Sequence, residues 1–390
     1  MSLLPVAEAL ALMLDRARPL DEDETVPLDA AAGRILAVDL VATQDQPPFP
    51  ASAMDGYAVR AADLPGALAL VGTSAAGSAF AGRVGPGECV RIFTGAIVPD
   101  GADSVLIQED ARAEDGRISG QGSLEPGRYV RPQGLDYAKA ETLLAAGHVM
   151  TPAALALAAS TGLAGITVRR RPRVAIVMTG DELVEPGSER AEGEIYASNG
   201  TGVAAIVERA GGEALPRGIA PDALDALVAA LDVPEADIVV TLGGASVGDH
   251  DLVRPALERL GVEMAFMKLA MRPGKPVMFG TKGRQLFLGL PGNPVSSLVG
   301  AEVLLVPLVR SLLGRKPDDL TTREKLAMDL PANGPRQHYM RASLTPDGVV
   351  PFANQDSSLL ATLARADVLL VREAGEGPRK AGESVPIMRF

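Results

Sequence analysis

The sequence predicts a multidomain α/β plus β protein: a doubly wound α/β domain joined to a helical region, an inserted β segment and a small C-terminal β domain or barrel. Three observations carry this reading. Near-continuous apolar strands alternate with helices between residues 173 and 314. Short apolar runs, broken by Pro-Gly, Gly-x-Gly and Asp-Gly turns, fill residues 40 to 147. The length, 390 residues with 47% hydrophobic and 22% charged side chains, suffices for several cores at about 100–200 residues per domain.

The elements follow in order. Val6, Ala9, Leu10, Met13 and Leu14 recur at three and four residues, the spacing of an amphipathic helix that ends before Pro19. The turns VGPGE, VPDGAD, AEDGR and LEPGR then punctuate an all-β stretch. Thr151-Pro152 supplies a cap and a proline at the first helical position, so a second helix starts there. It is expected to pack on the N-terminal helix, which would make the β stretch an insertion. From Arg173 the pattern changes to strand VAIVM (174–178), loop TGDEL, helix 200–210, a strand near 214–219, helix 222–231 and strand DIVVTL (237–242). Helix 250–260, strands near 264–269, 276–279 and 285–290, and a long helix 295–313 complete it. Strands apolar on both faces indicate a parallel sheet covered on both sides. After the polar linker GRKPDDLTT (314–322) the tail is strand-like. The expected division is a helical region 1–40 with 148–172, an inserted β domain 41–147, an α/β domain 173–314 and a β tail 315–390.

Composition excludes several classes. Lys+Arg 37 against Asp+Glu 49 gives a net charge of −12, and aromatics are 3% with no Trp, which disfavours a nucleic-acid binder. The single Cys89 rules out an internal disulfide framework and reads as a small buried hydrophobe. Three scattered histidines (His148, His250, His338) make a Cys/His zinc site implausible, so a metal would take oxygen ligands. The N-terminus lacks a basic leader region, and the apolar stretch 153–168 is too polar and short to span a bilayer. A soluble, cytoplasmic protein is expected.

Ligands of an open α/β sheet bind at the carboxyl ends of its strands. Three such ends carry unusual loops: Thr179-Gly180-Asp181-Glu182, the Gly243-Gly244-Ala-Ser246-Val-Gly248 run ending in Asp249-His250-Asp251, and Gly289-Leu-Pro291-Gly292-Asn293-Pro-Val-Ser296-Ser297. Any one alone is an ordinary strand-to-helix turn, but three on one edge suggest a site. The last opens a helix, whose free N–H groups favour an anion such as phosphate. Three of the seven lysines (Lys268, Lys275, Lys282) fall within fifteen residues, in a segment with no acidic residue. A charge run usually marks a solvated face, yet apolar residues interleaved with Lys268, Arg272 and Lys275 suit an enclosed anion pocket. Carboxylates beside it suggest a divalent cation on phosphate oxygens, although loop Asp and Glu also serve as caps. Asp55-Gly56 reads as a hairpin-turn dipeptide.

Taken together, SAMDGYAV (52–59), RIFTGAIVPDGAD (91–103), IVMTGDEL (176–183), GGASVGDHD (243–251), KLAMRPGKP (268–276) and GLPGNPVSS (289–297) resemble the molybdopterin molybdenumtransferase (MoeA) family, which includes the gephyrin E domain. The motifs stand in that family's order. The resemblance implies a helical linker region, an inserted β domain, a molybdopterin-binding α/β domain and a C-terminal β-barrel. It further implies a homodimer whose active site pairs the α/β domain of one chain with the inserted domain of the other. Other molybdenum cofactor biosynthesis proteins are possible partners by the same resemblance. The implied reaction takes adenylylated molybdopterin and molybdate, inserts molybdenum and releases AMP with Mg²⁺ assistance.

The functional positions carried over are Asp55, Thr94, Arg131, Asp136, Glu182, Asp222, Asp251, Lys268 and Lys275, with Glu182 and Asp251 as metal ligands. Arg272 stands where the family often has Lys, which exchanges a point charge for a planar fork. The Gly243, Gly244, Ser246 and Gly248 loop and the Pro291, Gly292, Asn293 and Ser296 loop should cradle phosphate and diphosphate. In the tail, Arg336, Arg341 and Ser357 or Ser358 resemble the region that helps hold molybdate. Two alternatives are a molybdopterin adenylyltransferase, whose domain shares the 174–313 pattern, and a molybdopterin-binding scaffold. The long N-terminal region and the tail argue against the first, and the retained charged residues against the second.

Overall fold

The N-terminal repeat forms α1 (Val6–Arg16), which buries Val6, Ala9 and Met13. The computed structural model describes residues 3–244, 252–315 and 321–390. These divide into two units: Thr25–Val168, and the residues up to Glu24 together with Arg169–Phe390.

The unit Thr25–Val168 is built on a six-stranded sheet. Its strands are β1 (Gly56–Val59), β2 (Ala67–Ser74), β3 (Glu88–Ile92), β4 (Ser104–Ile107), β5 (Ala111–Glu114) and β6 (Arg117–Gly120), in the order β4-β1-β3-β2-β6-β5. Alternation puts Ala58, Val90, Ile92 and Val105 into one cluster and Val59, Leu68, Cys89, Leu106 and Ile118 into another. Cys89 is fully buried, and burial pushes its thiol pKa up to about 11, so it is an inert core residue. Asp55-Gly56 is not a hairpin turn. Gly56 opens β1, where an added Cβ would lie 2.1 Å from the Leu106 carbonyl, so the glycine serves a close approach of strands.

Helix α2 (Pro152–Ser160) starts as the sequence indicates, with Thr151 Oγ1 accepting from Ala154 N at 3.2 Å. Ala154 and Ala158 are buried with Ala31, Leu36, Leu40, Met150 and Val168. An alanine-rich helix has no wide apolar stripe to specify a partner, so irregular segments beside it can fill that role.

In the other unit, β7 (Arg173–Thr179), α3 (Asn199–Ala210), β8 (Glu213–Ala220), α4 (Leu224–Leu231), β9 (Ile238–Leu242) and α5 (Val253–Arg259) alternate. They are followed by β10 (Glu263–Phe266), β11 (Met271–Arg272), β12 (Met278–Lys282), β13 (Gln285–Leu290) and α6 (Pro294–Leu312). The sheet order is β8-β7-β9-β13-β12-β10. The first four strands are parallel, whereas β12 and β10 run antiparallel at one edge. Ala175, Val177, Val239 and Phe287 pack with Leu227, Leu231, Val253 and Leu257 of α4 and α5. The alternate residues Ile176, Val240 and Leu288 are equally buried, as a doubly covered sheet requires. Among the described residues α6 alone is long and apolar enough to cross a membrane; 83% of it is buried in the protein, which makes it a core helix. It contains a π turn at Ala301–Leu305.

The tail strands are β14 (Thr321–Lys325), β15 (Gln337–Thr345), β16 (Gly348–Pro351), β17 (Val368–Arg372) and β18 (Ser384–Met388), with a short helix α7 (Leu360–Ala364). The sheet order is β11-β15-β17-β18-β14, with β16 on β15. A parallel bridge between Leu326 and Val349 closes it around Leu326, Val349, Val368, Leu370, Val385 and Ile387. Strand β11, which pairs with the start of β15, comes from the basic segment of the α/β region and ties that segment to the tail.

Candidate functional site

β7 leads through α3 to β8 on one side, and β9 then pairs with β7 on the other, so the strand order reverses between β7 and β9. A cleft belongs at that switch point. A cavity of about 760 Å³ lies there, lined by Thr179, Gly180 and Glu182 after β7, Leu242, Gly243 and Gly244 after β9, and Pro291, Gly292, Asn293 and Pro294 after β13. The three loops singled out in the sequence therefore converge. Gly243, at φ +106°, lets the loop after β9 fold against the end of β7; a Cβ there would meet the Thr179 carbonyl oxygen at 2.6 Å. Ser246, Gly248 and Asp251 lie outside the described residues.

The loop at the start of α6 has its carbonyls fixed by side chains. Asn199 Nδ2 donates to Gly292 O at 2.7 Å, and Ser297 Oγ donates to Pro291 O and, at 3.2 Å, to Asn293 O. Val295 N donates to Ser357 O at 3.1 Å. The N–H groups of Gly292 and Asn293 have no hydrogen-bond partner among the described residues. Fixed carbonyls and unpaired amides at a helix N-terminus make an anion cradle. Ser296 is 4% exposed and does not line the cavity, so the serine that organises the loop is Ser297. Asn199 and Ser297 were not among the expected site residues. The signal available for Asn199 was its place beside Ser198 at a helix start.

Glu182 and Asp222 both line the cavity. Asp181 Oδ1 accepts from Asp222 N at 3.0 Å, joining the end of β7 to the end of β8. No cluster of three potential metal ligands occurs among the described residues. Two carboxylates on the cleft nevertheless supply the oxygen donors that suit Mg²⁺, which keeps several of its waters.

The basic segment is split. Lys268 and Lys275 are exposed and bracket a loop closed by Leu269 N donating to Lys275 O at 3.0 Å. Pro276, next to Lys275, lines the cavity. Arg272 instead lines a separate recess of about 480 Å³ with His338, Gln355, Asp356 and Arg372. Strand pairing sets Arg272, His338 and Arg372 side by side. Burial, and next the nearby Arg272, push the His338 pKa down to about 4. Arg336 Nη1 donates to Met271 O at 3.4 Å. Arg341 is 1% exposed; its Nε donates to Gln355 Oε1 at 3.0 Å and its Nη1 to Asp356 O at 2.7 Å. It shapes the turn bearing Ser357, whose hydroxyl accepts from Asn293 Nδ2 at 3.2 Å, and Ser358, which lines the cavity.

The remaining candidates lie in the unit Thr25–Val168. Asp55 Oδ1 accepts from both Thr94 N and Thr94 Oγ1 at 2.7 Å. The backbone N–H chiefly, and then the hydroxyl, hold the Asp55 carboxyl below the usual carboxylate range. Arg131 pairs opposite Ala51, three residues from the Met54-Asp55 turn. Asp136 sits on the same exposed loop, anchored by its N–H to Gln46 O at 2.8 Å. Asp45, absent from the expected set, accepts from Gln133 Nε2 at 2.6 Å and Lys139 N at 2.7 Å and so holds that loop. Arg91 lies over the rings of Tyr57 and Phe93 at 5.1 and 4.8 Å, beside the exposed Met54 and Phe93.

Comparison with known proteins gives consistent matches along the chain. Residues 4–162 match the MoeA N-terminal region (domain I and II), 175–311 a probable molybdopterin binding domain, and 323–390 the MoeA C-terminal region (domain IV). The molybdopterin molybdenumtransferase of Haemophilus influenzae is 36% identical, over 100% of this chain and 99% of the relative. That of Bacillus subtilis is 33% identical over 94% and 90%. A structure of the molybdopterin biosynthesis MoeA protein of Pyrococcus horikoshii, 31% identical, superposes with a TM-score of 0.86 and covers 100% of this chain and 99% of its own.

Proposed function

Because the chain belongs to the MoeA family, and is a molybdopterin molybdenumtransferase of molybdenum cofactor biosynthesis, we propose that it takes adenylylated molybdopterin and molybdate in the cleft between β7, β9 and β13 and releases AMP. The observation that carries this reading is the cradle at the start of α6, where Asn199 and Ser297 fix the carbonyls and leave the Gly292 and Asn293 N–H groups for an anion.

In this reading the cradle and the Gly243-Gly244 loop bind the phosphates. Mg²⁺, when bound, neutralises phosphate oxygens and makes AMP a better leaving group. Glu182 would hold it, with Asp222 on the same cleft; Asp251, the second ligand implied by the family resemblance, lies outside the described residues. Lys268 and Lys275 draw the molybdate dianion towards the cleft rim, with Arg272 adding to the field from the neighbouring recess. Arg341 orders the turn that offers Ser357 and Ser358. Asp55, Thr94, Arg131 and Asp136 complete the site from a second copy of the chain, as a homodimer would allow. The exposed Met54 and Phe93 beside Asp55 support a protein-facing role for that surface. No protein nucleophile is needed; positioning and charge neutralisation carry the rate.

The test follows AMP release from adenylylated molybdopterin and Mg²⁺, with and without molybdate. Release that rises with molybdate, and is lost in Glu182→Ala, is expected. Tight nucleotide binding with molybdate-independent release would leave a carrier or scaffold.

A further inference from the structure

Tyr196 lines the cleft and is 47% exposed, in a chain with only 3% aromatic residues. No other residue lining the cleft is aromatic among the described residues. The ring is anchored: its hydroxyl donates to Ser188 O at 3.2 Å. The backbone is anchored too, because Ile195 and Tyr196 pair with Leu183 and Val184, and Ile195 N donates to Glu182 O at 2.8 Å. Three residues further on, Asn199 sets the Gly292 carbonyl. Tyr196 therefore stands on a short ribbon between the Glu182 carboxylate and the residue that shapes the phosphate cradle. Ile195, 52% exposed, lines the cleft beside it.

An exposed aromatic face in a cavity floored by polar main chain needs an occupant. Water covers it poorly, and among the described residues no aromatic side chain stacks on it. A phosphate-bearing planar ring satisfies both parts at once, with amides on the phosphate and the tyrosine face on the heterocycle. We propose that Tyr196, backed by Ile195, is the stacking surface of the cleft for a fused bicyclic heteroaromatic ring carried on a phosphate, either the purine of a nucleotide or a pterin. The inference deepens the reading of the cleft given above and rests on it. The scarcity of aromatics excludes a platform for a nucleic-acid strand, not a seat for one ring.

Calorimetric titration with AMP, neopterin monophosphate and ribose 5-phosphate tests it on the full chain, using Tyr196→Leu and Tyr196→Phe. Ribose 5-phosphate carries the phosphate without a ring and reports the cradle alone. At least one ring ligand should bind wild type about tenfold more tightly than ribose 5-phosphate, within the range of one base stacked on one aromatic side chain. The Leu variant should lose that advantage while keeping its ribose 5-phosphate affinity, and the Phe variant should retain both. The ligand that loses affinity identifies the ring. Unchanged ring-ligand affinity in the Leu variant overturns the proposal, as does equal loss in Leu and Phe, which would assign the effect to the hydroxyl. Failure of wild type to bind ribose 5-phosphate would instead refute the phosphate cradle.

Discussion

The cleft of the α/β region and the Asp55 corner of the inserted region present their chemistry in different ways. In the cleft the exposed polar groups are main chain: the amides of Gly292 and Asn293, in a loop whose carbonyls are held by the side chains of Asn199 and Ser297. At the Asp55 corner the exposed group is a side chain, and Thr94 N and Oγ1 converge on one of its carboxylate oxygens. A main-chain site tolerates side-chain variation around it but not a change of backbone path. A side-chain site has the reverse sensitivity.

The largest effect should come from Gly243→Val. Its Cβ would fall 2.6 Å from the Thr179 carbonyl, at a φ that side chains rarely adopt. Strain of roughly 1–3 kcal/mol should appear as a lower denaturation midpoint, with nucleotide binding lost. Asn199→Ala should weaken AMP binding about fivefold, the scale of one net hydrogen bond, with little change in melting temperature. If affinity is unchanged, the carbonyl does not need Asn199. Thr94→Val should leave nucleotide binding in the cleft untouched and act on the pH profile. It keeps the N–H that chiefly lowers the Asp55 pKa but loses the hydroxyl, so the acid limb of activity should move to higher pH.

Outside both regions, His338 offers a smaller check. Its pKa is lowered from 6.5 to about 4 in the fold, so the neutral form is favoured there. Stability linked to it is complete above about 6.5 and falls as the pH drops towards 4. His338→Gln should flatten the melting temperature across that window.

The sequence made the cleft legible because its parts are local. Each strand is a continuous apolar run, and each loop declares itself by glycine or proline at the strand end. What holds the loops was not legible, because Asn199 acts on a carbonyl 93 residues away and Asp181 on an amide 41 residues away. The basic segment illustrates a further limit. Lys268, Arg272 and Lys275 read as one pocket, yet β11 adds Arg272 to the tail sheet and turns it towards another recess. A two-residue strand leaves no periodicity to read. The antiparallel edge formed by β12 and β10 was hidden for a related reason: apolar runs state burial but not direction. The Asp55-Gly56 reading failed because a glycine needed for close strand approach carries the same letters as a turn.

The claim that joins the two regions is that they serve one reaction from different copies of the chain. Co-expression of Asp55→Ala with Glu182→Ala protomers, separately tagged and purified as a mixed dimer, tests it directly. Each variant alone should be silent. The mixed dimer should regain molybdate-dependent AMP release, because one of its two composite sites would be free of both substitutions. A mixed dimer no more active than either parent would contradict the account.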